Sequence, residues 1–306
     1  MGHGSTYSTN SKGSFDSSIR EKKYTDKGMH LGAMSLNQTF KEVQMKETMN
    51  PYGVELRECR DSADHPLTKP FIIALDVTGS MGSIPHYLMQ NGLPKIMGNI
   101  VQKGIKDPQL LFMGIGDHEC DESPLQVGQF ESTDELMDKW LQDVYLEGGG
   151  GANDGESYLL AWHFAGFHTV LDCYKERGEK GVLITIGDEK CLPRIPQKEI
   201  KRITGEAGQK DFTADELLEI ASETYECYHI NVMAGYSGSR TDVVDQWRQL
   251  MSDHLVLVDT KEEIADAIST IVINHNLNAS SQTVKLTAVE TSQEVENTTD
   301  EVTFIK

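Results

Sequence analysis

The chain of 306 residues is 38% hydrophobic and 7% aromatic, which suffices for a packed core in one large domain or two modest ones. Its 28 Lys and Arg against 48 Asp and Glu give a net charge of −20, which argues against nucleic-acid binding because phosphate recognition needs a basic surface. No apolar run reaches the about 18 residues of a membrane span, and the polar N-terminus lacks the pattern of a secretory signal. Five cysteines without a CxxC pair favour reduced thiols, so we expect a cytoplasmic protein.

Both ends of the chain differ in composition from its middle. Residues 1–65 are rich in Ser, Thr, Gly, Lys and Glu, and we predict an arm that is flexible or packs on the domain. The alternating segment YGVEL (residues 52–56) offers an edge strand as an alternative. Residues 276–306 are rich in Ser, Thr and Glu and predict a disordered tail, although TVKLTAV and EVTFIK within it also fit edge strands. The predicted domain spans residues 66–275.

The middle of the chain alternates between apolar runs and helical patterns. Five short apolar runs predict buried parallel strands. They lie at residues 71–75, 110–115, 182–186, 228–233 and 255–258, and an antiparallel edge strand is predicted at 127–130. Three S/T-x-x-E capping boxes predict helix starts at Ser132, Thr213 and Thr260. This alternation predicts an α/β fold: a doubly wound, mostly parallel central sheet with helices on both faces, in the Rossmann-like arrangement.

Ligands of such sheets bind at the carboxyl ends of the strands, where this sequence places DVTGSMG, GDHECDE and GDEKC. In the first segment, Asp76, Thr78 and Ser80 occupy alternate positions, so an extended backbone points their oxygens to one side. One carboxylate and two hydroxyls are the hard ligands that Mg²⁺ prefers. The alternative is an ordinary strand-to-helix turn in which the hydroxyls cap the helix.

Four segments together resemble one family. DVTGSMG resembles the D-x-S-x-S loop of the metal-ion-dependent adhesion site in von Willebrand factor A-type domains, and is closer still to the A-type domains associated with alpha-kinases. The strand end GIGDHECD, the glycine run Gly148–Gly151 followed by Glu156, and the strand end ITIGDEKC are similar to segments of the same family. The resemblance covers roughly residues 68–272 and implies the A-type fold. No kinase signature accompanies it.

The resemblance implies a set of metal ligands. Asp76 and Asp188 are expected to hold the metal through water, and Thr78 and Ser80 to bind it directly. The family usually adds a Thr from its second loop, but this sequence has none there. Asn153 or Asp154 stands in the nearest place, and Asn153 has the matching spacing to Glu156. The predicted ligands are therefore Asp76, Thr78, Ser80, Asn153 and Asp188, holding Mg²⁺ or Mn²⁺.

Other acidic and sulfur residues leave further interpretations open. Asp117, His118, Cys120 and Cys191 include the ligand types of a zinc site, although their spacing is poor for one. The alternative is a set of polar loop residues and small buried thiols. Three acidic residues nearby are interpreted as a rim that selects basic partners. They are Glu119, Asp121 and Glu122.

These observations favour a protein interaction module that binds the Asp or Glu of a partner through the metal. The alternative is a metal-dependent hydrolase or phosphatase with His118 or Glu189 as its base, which we expect less because no nucleophile elbow, P-loop or HExxH motif occurs. A third hypothesis is an assembly role with a ring ATPase, by analogy with bacterial A-type proteins. Neither nucleic acid nor membrane is an expected partner.

Overall fold

The structure is a computed structural model that describes residues 44–146, 153–206 and 210–277. Most of the predicted arm, the glycine run and nearly all of the predicted tail lie outside the described residues. The described central part of the chain contains every predicted metal ligand.

A six-stranded sheet forms the centre of the described structure. Its strands are β1 (Lys69–Asp76), β2 (Pro108–Ile115), β3 (Leu125–Val127), β4 (Gly181–Gly187), β5 (Tyr225–Val232) and β6 (Leu255–Val258). They lie in the order β6-β5-β4-β1-β2-β3, and all neighbours are parallel except β2 and β3. The carboxyl ends of β1, β2 and β4 consequently meet at one edge.

Helices cover both faces of this sheet. They are α1 (Ile84–Tyr87), which continues through a π-helical turn (Leu88–Gly92) into α2 (Leu93–Gln102), then α3 (Asp134–Asp143), α4 (Leu159–His168), α5 (Asp172–Arg177), α6 (Gln197–Thr204), α7 (Ala214–Thr224), α8 (Thr241–Met251) and α9 (261–277). One core joins Ile72 and Ala74 of β1 to α4, α6, α7 and α8. A second core joins Phe71, Ile73 and Leu75 to α2, α3 and α9. The predicted α/β class with a mostly parallel sheet is confirmed.

The burial of the strands explains their apolar sequences. Side chains alternate between the two faces of a strand, and here both faces are covered. Every residue of β4 and all but the first residue of β1 are therefore buried. All five predicted parallel strands are present. Strands β1, β2 and β4 are two or three residues longer than predicted, β6 has the predicted bounds, and β5 begins three residues earlier and ends one residue earlier than predicted.

Two local predictions were wrong by a few residues. The edge strand was predicted at 127–130, but β3 covers Leu125–Val127, because the polar side chain of Gln126 bonds the backbone of Tyr145 through both its amide atoms at 2.8 Å. Helix α3 begins after Thr133, whose hydroxyl accepts from Leu136 N, rather than after Ser132. Glu131 still pairs with β2, so the helix begins one residue later than predicted.

The other two capping positions agree with the sequence. Thr213 and Glu216 form a complete capping box at the start of α7. Thr260 precedes α9, and its hydroxyl bonds the Glu263 carboxylate at 3.0 Å. The pattern involves residues only three positions apart, so it marks these two helix starts within a short stretch of sequence.

Residues ahead of β1 pack on the domain in the described part of the arm. The segment YGVEL forms no strand; instead Arg57–Cys59 pairs in parallel with Thr169–Leu171 in a separate two-stranded sheet. Met49 and Cys59 are fully buried. Within the described ranges, no helix has the length and apolar character needed to cross a bilayer.

Candidate functional site

Side-chain oxygens of four residues lie in a row between two strand ends, and we call this row the hydroxyl chain. Asp76 is the last residue of β1, and its Oδ1 accepts from Thr78 N at 2.9 Å and Thr78 Oγ1 at 2.6 Å. Thr78 Oγ1 lies 3.1 Å from Ser80 Oγ, which donates to Asp188 Oδ1 at 2.7 Å. Asp188 directly follows β4, the neighbour of β1. Four predicted ligands thus lie in one group, but not through the extended backbone that the alternation predicted, because β1 ends at Asp76 and Ser80 lies in a 3-10 turn (Gly79–Met81).

The loop after β5 closes the far side of Asp188. Ser237 N donates to Asp188 Oδ2 at 3.3 Å, and Ser237 Oγ donates to the Glu189 carboxylate at 2.5 Å. Gly235 lies so close that a Cβ built on it would overlap the side chain of Asp188. The backbone of this loop therefore reaches the site only because residue 235 is glycine.

Two buried carboxylates stand close together in this group. Asp76 and Asp188 are both fully buried, and within the described part of the chain neither is ion-paired with Lys or Arg. Burial, together with the negative charge of Asp188, raises the pKa of Asp76 well above its usual range. Ser80 is only partly buried and opens the group to solvent. Such a site gains stability from a bound cation.

Asn153 belongs to a neighbouring acidic group. Its Nδ2 donates to Asp117 Oδ2 at 2.7 Å and to Glu119 Oε2 at 2.9 Å. Asp117 follows β2 closely, and its backbone N donates to Asp121 Oδ2 at 2.7 Å. Asp121 is consequently buried and is no part of an exposed rim, whereas Glu119 and Glu122 are exposed as predicted. The structure brings Asn153 to the acidic loop after β2 rather than into the hydroxyl chain.

Asp154 points to the other side. Its carboxylate pairs with Lys190 Nζ at 2.8 Å and with Arg240 at 2.6 Å. The same two cations also pair with Asp242. Of the two alternatives for the second loop, Asp154 is therefore engaged in an exposed ion-pair cluster, and Asn153 is the one that faces acidic neighbours.

Glu156 lies close enough to Asp76 and Asp117 to feel the charges of both, and it has no counter-ion among the described residues. It is 7% exposed, and its Oε2 has no hydrogen-bond partner in the part of the chain that the structure describes. Burial, reinforced by the charges of Asp76 and Asp117, raises the pKa of Glu156 far above its usual range. An orphaned buried carboxyl oxygen is rare in folded proteins, and it indicates a proton or a cation at this place.

The residues of the suggested zinc site have other partners. His118 Nδ1 lies 2.8 Å from Ser157 Oγ, and burial lowers the pKa of His118. Cys191 is buried and its thiol faces Leu192 O, while Cys120 is exposed. Among the described residues, no three His, Cys, Asp or Glu side chains are grouped as a metal site. The predicted magnesium set relies on two hydroxyls as well.

Comparison with known proteins gives partial likenesses. No protein-family model matches the chain. Over 110 residues the chain is 33% identical to a (2Z,6E)-farnesyl diphosphate synthase of Mycobacterium tuberculosis and to a short-chain Z-isoprenyl diphosphate synthase of Mycobacterium bovis. Each match covers 36% of this chain and 36% of the synthase, so the chain spans about a third of the length of these curated relatives. That share is too small to assign a family.

Two solved structures are also similar. The pilus adhesin SpaC from Lactobacillus rhamnosus GG, in its open conformation, has a TM-score of 0.44 at 11% identity over 73% of this chain and 31% of the adhesin. Proximal thread matrix protein 1 from the mussel byssus has a TM-score of 0.39 at 12% identity over 69% of this chain and 48% of its own. These values assign neither family nor function.

Several site residues have no sequence signal of their own. Tyr158 Oη donates to Asp76 Oδ2 at 2.9 Å, yet in the sequence it resembles any other core aromatic. Ser237 reaches Asp188 from a loop in which the sequence predicts no ligand. Gly187 and Gly235 matter because side chains from distant segments occupy their space. Only the meeting of loops in space reveals these roles.

The donors fit a hard divalent cation. Two buried carboxylates and two hydroxyls supply negative charge and hard oxygen ligands, with no sulfur or nitrogen ligand among them. Mg²⁺ and Mn²⁺ prefer such oxygen sets. Asp76, Thr78, Ser80 and Asp188 are the residues that would hold the ion.

Proposed function

We propose that this chain carries a von Willebrand factor A-type domain and acts as a divalent-metal-dependent protein interaction module. The observation that carries the proposal is the row of side-chain oxygens of Asp76, Thr78, Ser80 and Asp188, each within 3.1 Å of the next, at the ends of two adjacent strands. The α/β sheet places this group where ligands of such folds bind. The DVTGSMG resemblance supports the same assignment.

The residues divide the work by their exposure. Asp76 and Asp188 hold negative charge in the interior, and Ser80 faces the solvent side. When bound, Mg²⁺ or Mn²⁺ supplies a positive centre that attracts a carboxylate from an Asp or Glu of the partner. The chain carries a net charge of −20, so an acidic group meets repulsion unless the metal is present. Partner binding is therefore metal-dependent.

An exposed aromatic residue beside the site supports a binding role. Tyr236 is 88% exposed and stands between Gly235 and Ser237, whose contacts with Asp188 hold the loop in place. An aromatic side chain on a fixed loop is costly to expose and is a frequent centre of protein interfaces. We place Tyr236 at the partner interface.

The hydrolase alternative has less support. A hydrolase needs a base that reaches an activated water or a substrate. His118 is buried and bonded to Ser157, which is fully buried itself. Glu189, the other candidate base, accepts from Ser237. No observation favours this second function over the first.

Titration calorimetry with MgCl₂ and MnCl₂ tests the metal site. We expect the wild type to bind one ion and Ser80→Ala to bind it about tenfold more weakly, a loss of about 1.4 kcal/mol. The control is Ser83→Ala, because Ser83 is exposed on the same turn and its hydroxyl contacts Lys261. Absence of binding by the wild type, or equal binding by both variants, contradicts the proposal.

Nuclear magnetic resonance with acetate then tests the carboxylate. Acetate is the simplest mimic of an Asp side chain, and acetamide is its neutral control. We expect the amide signals of Gly79, Ser80 and Tyr236 to shift with acetate only when Mg²⁺ is present, and not with acetamide. Turnover of p-nitrophenyl phosphate by the Mg²⁺-loaded protein, abolished by EDTA, would favour the hydrolase instead.

A further inference from the structure

The hydroxyl of Tyr158 lies directly behind the carboxylate of Asp76. Tyr158 is fully buried, and its Oη donates a hydrogen bond of 2.9 Å to Asp76 Oδ2. The other oxygen, Oδ1, is the one that accepts from Thr78 N and Thr78 Oγ1. Tyr158 therefore binds the carboxylate oxygen that the hydroxyl chain does not use. With both oxygens bonded, the carboxylate has one preferred rotation.

Room for this hydroxyl comes from Gly187, the last residue of β4. A Cβ built on Gly187 would overlap the Tyr158 hydroxyl oxygen. Gly187 also precedes Asp188 directly. A larger residue at position 187 would displace either the Tyr158 hydroxyl or the end of β4. The absence of a side chain at Gly187 therefore makes room for the hydrogen bond from Tyr158 to Asp76 at the end of β1.

Two further aromatic rings hold Tyr158 from the side. His229 and Trp247 stack on each other with centroids 3.4 Å apart, and Tyr158 meets them edge-on at 5.3 and 5.2 Å. Trp247 Nε1 donates to Glu189 O at 2.9 Å, and His229 Nδ1 lies 2.9 Å from Thr185 Oγ1. The ring cluster is thus anchored to β4 and the loop after it, and Tyr158 connects it to the end of β1.

We propose that Tyr158 is a positioning residue of the site: seated in the space left by Gly187, its hydroxyl sets the rotation of the Asp76 carboxylate so that Oδ1 faces Thr78 and the cation. This inference rests on the proposed metal-binding function. Without the hydroxyl, Asp76 Oδ2 is left unsatisfied in the interior, and the carboxylate turns away from the arrangement that receives the metal.

The test compares two buried tyrosines. Tyr158→Phe removes only the hydroxyl and keeps the ring packing. Tyr225→Phe is the matched control, because Tyr225 is also fully buried and its hydroxyl lies 2.7 Å from Thr169 Oγ1, away from the site. By calorimetry with MgCl₂, we expect Tyr158→Phe to bind at least about fivefold more weakly and Tyr225→Phe to bind as the wild type does, although each loses one buried hydrogen bond.

The outcomes separate this inference from the proposed function. If the wild type binds Mg²⁺ and Tyr158→Phe binds it equally well, the positioning role is wrong while the metal site stands. If the wild type binds no Mg²⁺, the proposed function fails, and crystal structures of both metal-free proteins decide the inference. A turned Asp76 carboxylate in Tyr158→Phe supports it, and an unchanged orientation overturns it.

Discussion

Ser80 Oγ donates a 2.7 Å hydrogen bond to Asp188 Oδ1, across 108 positions of sequence. This bond joins the loop after β1 to the loop after β4 at the edge of the sheet. Ser80 Oγ also contacts Thr78 Oγ1, which donates to the Asp76 carboxylate, so only two hydroxyls lie between the two buried carboxylates. The chemistry of the site therefore depends on how the charge of these carboxylates is balanced.

Replacing Asp76 by Asn should separate the fold from metal binding. Burial raises the pKa of Asp76, so its charged form is costly in the metal-free protein, whereas Asn keeps an acceptor for Thr78 without the charge. In EDTA, we expect Asp76→Asn to melt at the wild-type temperature or a few degrees higher. Saturating Mg²⁺ at about 100 times its dissociation constant should stabilise the wild type by about 2.7 kcal/mol and the variant hardly at all. Differential scanning fluorimetry measures both.

Asp172→Asn is the control for that experiment, because Asp172 pairs with Arg60 instead. It should keep the full Mg²⁺ effect. A Mg²⁺ shift of wild-type size in Asp76→Asn would contradict the ligand assignment.

Glu156→Gln should change how stability depends on pH. Burial raises the pKa of Glu156 from its ordinary value of 4.5 to about 10 in the folded protein. The stability linked to its protonated form is therefore fully present below pH 4.5 and is lost as the pH rises from there toward 10. Gln cannot ionise, so metal-free Glu156→Gln should match the wild type at about pH 4 and exceed it at about pH 8, by up to about 1.4 kcal/mol for each pH unit. Urea unfolding in EDTA across this range measures the difference. Parallel pH profiles would show that Glu156 is not held neutral.

Gly235→Ala, in the loop after β5, should weaken metal binding by displacing Asp188. Its new methyl group would overlap the Asp188 side chain, so either Asp188 or the loop must move. We expect Mg²⁺ affinity to fall by about tenfold or more, measured by calorimetry. Ser239→Ala, at an exposed position of the same loop, should bind as the wild type does. Unchanged affinity in Gly235→Ala would mean that this loop does not determine the position of Asp188.

Truncation should reveal which part of the arm belongs to the folded unit. A chain starting at residue 66 loses the buried side chains of Met49 and Cys59 as well as the Asp61 partner of Arg177, which a chain starting at residue 44 keeps. Since one buried apolar side chain contributes about 1.5–3 kcal/mol, we expect the shorter chain to be less stable by about 3 kcal/mol or more. Urea unfolding of both chains measures this. Coinciding transitions would place the boundary at residue 66.

The sequence predicted the sheet well because burial on both faces leaves a continuous apolar run. The runs at 71–75 and 182–186 become β1 and β4, side by side at the centre. The prediction was weaker where a polar residue belongs to a strand, as Gln126 does in β3. Its amide is satisfied by Tyr145, a contact that patterning cannot anticipate.

Within the site, local spacing was informative and long-range contacts were not. Asp76, Thr78 and Ser80 are near neighbours in sequence, so their meeting could be predicted, although a 3-10 turn rather than an extended backbone brings Ser80 to the other two. Asp188 was expected only through resemblance, and the fold brings it to Ser80. Asn153 was expected among the same oxygens, whereas its amide nitrogen bonds Asp117 and Glu119. Asp117 and Glu119 lie more than 30 positions from Asn153 in sequence, so the sequence around Asn153 does not reveal them as its hydrogen-bond partners.

The sequence by itself determined the alternation of buried strands with helices and the nearness of Asp76, Thr78 and Ser80, because burial patterns and short spacings act over a few residues. Only the tertiary structure decided that Tyr158 lies behind Asp76, that Gly187 makes room for it, and that Asp154 turns to Lys190 and Arg240. Those relations depend on which atoms fill the same volume and which charges meet once the chain is folded, and neither quantity is carried by any single stretch of sequence.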